Sequence, residues 1–255
     1  MRVTVLGCGG SGGVPLVGGV WGNCDPAEPR NRRRRVSILV EQGGTTLVVD
    51  TSPDFREQML DAGVRRLDAV LFTHAHADHV HGIDDLRAVN RMIGRPIPVH
   101  GDAATLRELR QRFGYAFRPL EAGTTHFYKP TLEPHEIAGP FRIGAVEVVP
   151  FVQDHGYSTT LGFRFGRVAY STDVVRLDET AFAVLAGVDT WIVDCLREEP
   201  HPTHSHLVQT LGWIARVRPR RAVLTHMTEL LDYASLCARL PSGVEPGYDG
   251  LVIQE

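Results

Sequence analysis

The sequence predicts a layered α/β domain in which short strands alternate with helices. Apolar stretches of strand length recur along the chain, and in both halves several of them end in aspartate or histidine. Functional sites on layered α/β folds are built at such strand ends, where the sheet holds the geometry. No linker, low-complexity tract or change of composition interrupts the pattern. We therefore predict one domain that spans residues 1–255.

The composition excludes several classes of protein. The chain has 255 residues, 43% hydrophobic and 22% charged, which is typical of a soluble globular protein. A net charge of -3 provides no general attraction for nucleic acid. The four cysteines lie far apart without a Cys-x-x-Cys pair, which argues against a disulfide framework and a thiolate metal site. No apolar run approaches the roughly 20 residues of a membrane span and no signal region is seen, so we expect a cytoplasmic protein without membrane association.

The first predicted element is a strand at residues 2–6, followed by a glycine-rich loop at residues 7–15. Glycines allow positive φ and the close approach of another group. Exposed amides in this loop could hold a phosphate, although no Gly-Lys-Ser/Thr follows as in a Walker A loop. A tight loop that packs beneath a functional site explains the glycines equally well.

Five arginines stand within residues 30–35, after an irregular segment at residues 16–30. The run fits a solvated edge. The alternative is that one or two of these arginines approach an anionic substrate or a neighbouring subunit.

Two further strands are predicted at residues 36–40 and 45–49. The second strand ends at Asp50. Ser52 then predicts a helix cap, with Pro53 at the first helical position.

The segment at residues 73–79 (THAHADH) carries the strongest functional signal. It follows an apolar stretch at residues 69–72 and precedes an amphipathic run at residues 84–93, which together predict a strand, a tight turn and a helix. Three histidines and an aspartate within six positions are not a plausible core. Imidazole and carboxylate are ligands that suit zinc, manganese or iron.

The spacing inside this segment favours a loop that binds two metals. On a helix, His74 and Asp78 would share a face while His76 would turn away, so all of them converge only on a loop. We expect the adjacent Asp78 and His79 to point in different directions, which suggests ligands for two ions.

The elements between the two halves are less informative. A short strand is predicted at residues 96–100 and a helix at residues 102–112. The aromatic segment at residues 113–117 is interpreted as buried packing, with a wall of the active site or a dimer contact as the alternative.

The second half repeats the pattern of an apolar strand that ends in a side chain able to bind metal. A hairpin is predicted through Gly166 from strands at residues 161–165 and 168–170. The strand-end residues are His155 after residues 146–151, Asp173 after residues 168–170, Asp194 after residues 190–193, and His226 after residues 221–224.

Seven residues of this set are enough for two divalent ions that share a carboxylate and a water. Their order and spacing closely resemble those of the metallo-β-lactamase-fold hydrolases, over essentially the whole chain. The resemblance implies a four-layer αββα fold, with two mixed β-sheets sandwiched between helices. It implies His74, His76 and His155 on one metal, Asp78, His79 and His226 on the other, Asp173 as the bridge, and Asp50 as support for the metal loop. Zinc or manganese is expected, with iron as the alternative.

Within that superfamily, the chain is most similar to the phosphodiesterase branch that opens ribose cyclic phosphates. The likeness rests on the glycine-rich loop ending at residues 13–15, the basic stretch before the second strand, His204 before the last αβ unit, and the terminal motif at residues 240–250. It implies a homodimer and a small phosphodiester or nucleotide-like substrate. Ser11, Tyr248 and Asp249 are the residues predicted to contact the substrate.

The chain departs from this branch at a second metal site. Those enzymes can hold a structural zinc with a Cys-x-Cys-x-x-Cys cluster and a histidine three residues after the last ligand. Only Cys24 stands in the first region here, and Glu229 occupies the second position. We therefore expect no structural zinc.

The implied mechanism is hydrolysis of a phosphodiester by a hydroxide that bridges two metals. An alkoxide leaves poorly at neutral pH, so a general acid is needed. Asp78 and His204 are the predicted catalytic residues, with His201 and His206 as alternatives to His204 for the acid.

Four other functions use the same fold. Ribonuclease Z-like tRNA processing matches the metal loop, but no long glycine-rich basic arm lies between Asp173 and His226. Thioester hydrolysis of the glyoxalase II kind and lactam hydrolysis are further alternatives, the latter requiring export. A metal-dependent binding or carrier protein is the non-enzymatic alternative, and the complete ligand set weighs against it.

Overall fold

The computed structural model describes residues 1–124 and 126–255, and this part of the chain forms two facing β-sheets with helices outside them. The strands are β1 (Arg2–Gly7), β2 (Ser37–Gln42), β3 (Thr45–Val49), β4 (Ala69–Leu71), β5 (Ile97–Gly101), β6 (Leu132–Glu136), β7 (Phe141–Ile143), β8 (Val146–Asp154), β9 (Thr159–Phe165), β10 (Val168–Ser171), β11 (Thr190–Asp194), β12 (Arg221–Thr225), β13 (Val244–Pro246) and β14 (Val252–Gln254). The α-helices are α1 (Phe55–Asp61), α2 (Ala77–Val80), α3 (Leu86–Ile93), α4 (Ala103–Arg112), α5 (Glu179–Leu185), α6 (Leu207–Val217) and α7 (Tyr233–Arg239). None of these helices is both long enough and apolar enough to cross a bilayer.

Each sheet has seven strands and mixes parallel with antiparallel pairs. The first sheet has the order β14-β1-β2-β3-β4-β5-β6, antiparallel as far as β3 and parallel from β3 to β6. The second sheet has the order β13-β12-β11-β10-β9-β8-β7, parallel from β13 to β10 and antiparallel beyond it.

The side chains of β1 show how the layers are separated. Val3 and Val5 point into the core between the sheets, where they join Phe163 and Trp191 of the second sheet. Leu6 points the other way, into the core that the first sheet shares with α1, α3 and α4. This alternation is the period of two expected of a strand buried on both faces. The predicted αββα fold is confirmed.

Several elements differ from the sequence-based predictions. Helix α1 begins at Phe55 rather than at Pro53, because the Ser52 hydroxyl is used in the turn before it, accepting from the Asp54 amide and donating to Gln58. Strand β6 was not predicted; it is a mostly exposed edge strand that contains Pro134, and so lacks an apolar pattern. The aromatic segment forms a 3-10 helix at Gly114–Phe117, and Phe117 packs against the core beneath the helices of the first sheet.

The arginine run is not simply a solvated edge, so this interpretation was wrong for Arg33. Arg33 is only 2% exposed, because residues 9, 14, 33 and 35 are joined by β-bridges. Its guanidinium donates to the carbonyl of Thr228 at 3.1 Å and lies 3.9 Å from Cys24 Sγ. Arg33 therefore ties the irregular segment to the loop after β12. The absence of a structural zinc beside Cys24 stays a prediction, which metal analysis of a Cys24→Ser variant would test.

Candidate metal centre

The predicted ligands converge where the carboxyl ends of strands from both sheets meet. The loop after β4 and helix α2 supply four ligands from the first sheet, and the ends of β8, β10 and β12 supply one each from the second. Two groups of four result, in each of which the ligand atoms lie within 4.8 Å of one another. The first group is His74, His76, His155 and Asp173, and the second is Asp78, His79, Asp173 and His226.

Asp173 belongs to both groups because its two carboxylate oxygens face different partners. Its Oδ2 lies 3.6 Å from His74 Nε2 and 3.7 Å from His155 Nε2. Its Oδ1 lies 3.1 Å from His79 Nε2 and 3.4 Å from His226 Nε2. This is the arrangement required of a carboxylate that bridges two ions.

The metal loop differs from its prediction in one respect. Asp78 and His79 lie on the single turn of α2, and they converge rather than diverge, with Asp78 Oδ2 3.3 Å from His79 Nε2. His76, which precedes this helical turn, lies in extended backbone and belongs to the other group. The change from extended to helical backbone therefore separates His76 from Asp78 and His79.

Asp50, at the end of β3, holds the metal loop from below. It is fully buried, and its carboxylate accepts hydrogen bonds from the Thr73 amide and hydroxyl, both at 2.8 Å. His79 Nδ1 lies 2.7 Å from Asp50 Oδ2, so Nδ1 carries the proton and Nε2 is left for a ligand bond. The structure thus places Asp50 where the resemblance implied a supporting residue.

The donor atoms fit divalent ions. His74 Nε2, His79 Nε2 and His226 Nε2 are buried and have no hydrogen-bond partner. Buried polar atoms normally find one, and here the three nitrogens point at the two oxygens of a shared carboxylate. Imidazole nitrogens and carboxylate oxygens are the ligands of zinc, manganese and iron sites.

The two groups differ in protonation. Burial, with His79 nearby, lowers the pKa of His74 well below its usual value, which favours the neutral form that binds metal. Burial also acts on His226, but the carboxylates of Asp173, Asp78 and Asp194 outweigh it and raise the pKa of His226 to about 9. Burial alone would raise the pKa of Asp173, yet His226, His79 and His74 hold it well below its usual range.

The backbone is strained at three of these strand ends. Asp50, Asp173 and His226 have φ of 63°, 54° and 58°, in the left-handed region. Non-glycine residues are uncommon there, and such strain is concentrated at functional sites. The fourth non-glycine residue with positive φ in the described chain, Arg218, only ends helix α6.

A cavity of about 560 Å³ opens above the metal groups. Of the three histidines considered for the general acid, His204 lines it, with Nε2 3.9 Å from Asp173 Oδ2 and the ring stacked on His226 at 4.7 Å. His206 instead precedes helix α6, and His201 lies behind His204, with their rings 5.2 Å apart.

Of the three predicted substrate residues, the structure brings only Ser11 to the cavity. Tyr248 packs against the core and meets Tyr233 edge to face. Asp249 accepts hydrogen bonds from the amides of Cys8 and Arg34, and so joins the terminal turn to the glycine-rich loop. Neither residue lines the cavity, because the chain end returns beside β1, where β14 pairs. Their contact with the substrate stays a prediction.

The sequence identifies Asp194 only as the residue at the end of an apolar strand, and the structure shows what its carboxylate contacts. It is fully buried, and its Oδ2 accepts from the Ser205 amide at 3.0 Å. Its carboxylate lies 3.6 Å from Nδ1 of both His204 and His226. Asp194 Oδ1 and the two facing Nδ1 atoms are all buried without a hydrogen-bond partner. One carboxylate therefore faces both the metal-facing His226 and the cavity-facing His204. This arrangement depends on contacts between three distant segments.

Residues 45–227, which include all the metal-facing residues, match the model of the beta-lactamase superfamily domain. The chain belongs to the beta-lactamase superfamily. This confirms the resemblance predicted from its motifs.

The relatives of this beta-lactamase superfamily member differ in the functions named for them. A crystal structure described as a new diphosphatase from the PhnP family has a TM-score of 0.89 and 32% identity, covering 100% of this chain and 97% of its own. An octanoyltransferase of Porphyromonas gingivalis is 34% identical over 98% of this chain, which spans about half (51%) of that protein. A ribonuclease Z of Bradyrhizobium sp. is 38% identical over 82 residues, 31% of this chain and 27% of that protein. The full-length match places the chain close to the PhnP branch.

Proposed function

We propose that this protein is a metal-dependent hydrolase that binds two divalent ions and cleaves a small phosphodiester, such as a ribose cyclic phosphate or a nucleotide-like diester. The observation that carries the proposal is the placement of Asp173, which faces one group of ligands with each carboxylate oxygen. Zinc or manganese fits these ligands, with iron as the alternative. A homodimer is part of the proposal by resemblance.

The comparisons support chemistry at phosphorus. One relative that matches along essentially its whole length, at 32% identity, is named a diphosphatase, so the reaction named for it takes place at a phosphate. The match to ribonuclease Z covers 82 residues. Residues 174–225 hold α5, β11, α6 and β12 without an extended arm that could grip a tRNA. The octanoyltransferase is about twice as long as the region that this chain matches. Its name therefore does not show that octanoyl transfer takes place in the matched region.

When bound, the ions would supply an activated water and polarise the non-bridging phosphate oxygens. The chain's own contribution is to place the donors and to deliver a proton. His155 Nδ1 donates to the carbonyl of Thr203 at 2.7 Å, which fixes the ring and leaves Nε2 toward Asp173. Because Thr203 precedes His204, this bond also positions the loop that carries the acid.

In the proposed reaction, His204 protonates the leaving oxygen. Its Nδ1 faces the buried Asp194, so Nε2 is directed into the cavity beside Asp173. The leaving alkoxide of a ribose diester needs this proton, whereas a nitrophenolate or a phosphate leaves more readily without it.

The proposal is tested by comparing leaving groups in the wild type and in His204→Ala. We expect the variant to lose about 10²- to 10⁴-fold in kcat on a ribose cyclic phosphate or nucleotide diester. The loss should be much smaller on bis-p-nitrophenyl phosphate and on a diphosphate, with two ions retained by elemental analysis. His201→Ala, which changes a histidine outside the cavity lining, is the control.

Other outcomes would contradict the proposal. Equal losses on all substrates would give His204 a binding or structural role, and no loss would leave it without one. A diphosphate cleaved far faster than any diester would move the substrate class to phosphoanhydrides. Absence of turnover by the metal-loaded protein on the whole panel would favour a binding protein.

A further inference from the structure

Tyr157 lies on the wall of the cavity above the metal groups, yet it is 92% exposed. It stands in the turn between β8 and β9, two residues after the metal-facing His155. Among the described residues that line the cavity, it contributes the only aromatic ring that is not a histidine. The Tyr157 ring is not packed in the folded core, so its faces are available to a ligand in the cavity.

The turn that carries Tyr157 is closely held. The His155 amide donates to the Ser158 carbonyl at 2.9 Å, and the Tyr157 amide lies 3.0 Å from the His155 carbonyl. Gly156 has φ +78°, and a Cβ atom there would stand 2.8 Å from the Pro202 carbonyl oxygen and 2.9 Å from a Thr203 methyl group. The turn therefore packs directly against the loop that carries His204. The base of the Tyr157 side chain is fixed relative to the acid and the metals, while its ring projects free.

A flat ring presented in this way is suited to stacking. Aromatic side chains stack on nucleobases through their π-faces, and this contact tolerates any base. The remaining lining offers hydroxyls and metal-binding groups, among them Ser11, Ser158 and Thr203, which suit a sugar phosphate. The cavity volume of about 560 Å³ falls within the range of small-molecule sites, roughly 300–1,000 Å³.

We propose that Tyr157 is a stacking platform for an aromatic base attached to the substrate, so that the site selects nucleotide diesters over base-free sugar phosphates. The inference rests on the proposed function and narrows its substrate class. Tyr157 determines specificity through binding; it supplies no proton and holds no metal.

The test compares a ribose cyclic phosphate with and without an adenine base. For Tyr157→Leu, which keeps apolar bulk but removes the π-face, KM for the base-bearing substrate should rise about 5- to 100-fold. Its kcat, and KM for the base-free substrate, should change by less than about twofold. Tyr157→Phe should behave as the wild type, because the hydroxyl is not needed. Tyr115→Ala, at a partly exposed tyrosine that donates to Asp84 and lies outside the lining, is the control.

Equal changes in KM on the two substrates, or no change on either, would overturn the inference. If neither diester is hydrolysed, calorimetric titration of the metal-loaded protein with adenosine monophosphate and with ribose phosphate still decides it. Weaker binding of the adenosine compound alone in Tyr157→Leu supports stacking even where the proposed hydrolysis fails. Equal binding by the wild type and Tyr157→Leu overturns it whatever the hydrolytic activity.

Discussion

The two sheets deliver their ligands to the metal centre in different ways. The first sheet supplies four ligands within residues 74–79, all on one short segment held by Asp50. The second sheet supplies one residue per strand end, so that His155, Asp173 and His226 meet only when β8, β10 and β12 are aligned. The first arrangement is local and the second depends on the tertiary fold. Asp173, which both groups share, comes from the second sheet, so neither group of ligands is complete unless both sheets are in place.

The largest expected effect is that of Asp173→Ala, which removes the only contribution shared by the two groups. We expect the variant to lose at least one ion per chain. Mutating a residue that supports a metal ligand typically lowers activity about 10- to 100-fold, and the loss here should be greater because Asp173 is itself a proposed ligand. Elemental analysis and turnover of bis-p-nitrophenyl phosphate are the measurements. Asp189→Ala, at a carboxylate paired with exposed Arg167, is the control. An unchanged metal content in Asp173→Ala would mean that the other six ligands hold the ions without the shared carboxylate.

An intermediate effect should separate the two supporting carboxylates. Asp50→Asn replaces the carboxylate that lies 2.7 Å from His79 Nδ1 by a neutral amide with one acceptor oxygen, so metal affinity should fall about 10- to 100-fold. Asp194→Asn should weaken metal binding less, because His226 Nδ1 lies 3.6 Å away, but it should lower kcat on alkoxide leaving groups through His204. Titration against a chromophoric chelator and leaving-group kinetics distinguish these outcomes. If the two variants lose metal equally, support of the contiguous ligands by Asp50 contributes no more to metal affinity than the contacts of Asp194 do.

The smallest effect on turnover is expected for Asp249→Asn, because Asp249 does not line the cavity. This variant tests the pH dependence of folding stability instead. Burial raises the pKa of Asp249 to about 7, against the lowering effect of the Arg34 amide. Between the unfolded value near 4 and this value, the folded protein binds more protons than the unfolded chain. The contribution of Asp249 to the free energy of unfolding is therefore greatest below pH of about 4 and falls, by up to about 4 kcal/mol, as the pH rises to about 7.

Denaturant unfolding at pH 5 and pH 8 measures this dependence, with the metal content held constant. The difference in unfolding free energy between the wild type and Asp249→Asn should shift against the wild type at pH 8. A difference that does not change with pH would mean that Asp249 titrates alike in the folded and unfolded chains. Activity should stay within about twofold of the wild type.

The same contrast explains what the sequence could predict. The ligands of the first sheet are recognisable from spacing alone, because residues 74–79 are contiguous. Those of the second sheet were found because each follows an apolar strand. The dual role of Asp194 and the projection of Tyr157 depend on how separate loops pack, which local patterns do not encode. The position of Tyr248 and Asp249 outside the cavity lining could not be predicted for the same reason, since nothing local indicates that the terminal strand pairs with β1.

The positive φ at Asp50, Asp173 and His226 has a consequence for laboratory evolution of this protein. A residue with a side chain loses on the order of 1–2 kcal/mol of conformational free energy in the left-handed region. Glycine does not have this penalty, and asparagine tolerates the region better than most residues. A library selected only for resistance to heat in the presence of a chelator should thus accumulate glycine or asparagine at these three positions. Each such change would relax the backbone and remove a residue that binds or supports metal. Heat tolerance and turnover would then compete for the same three codons, so a screen for a robust catalyst must select for both from its first round.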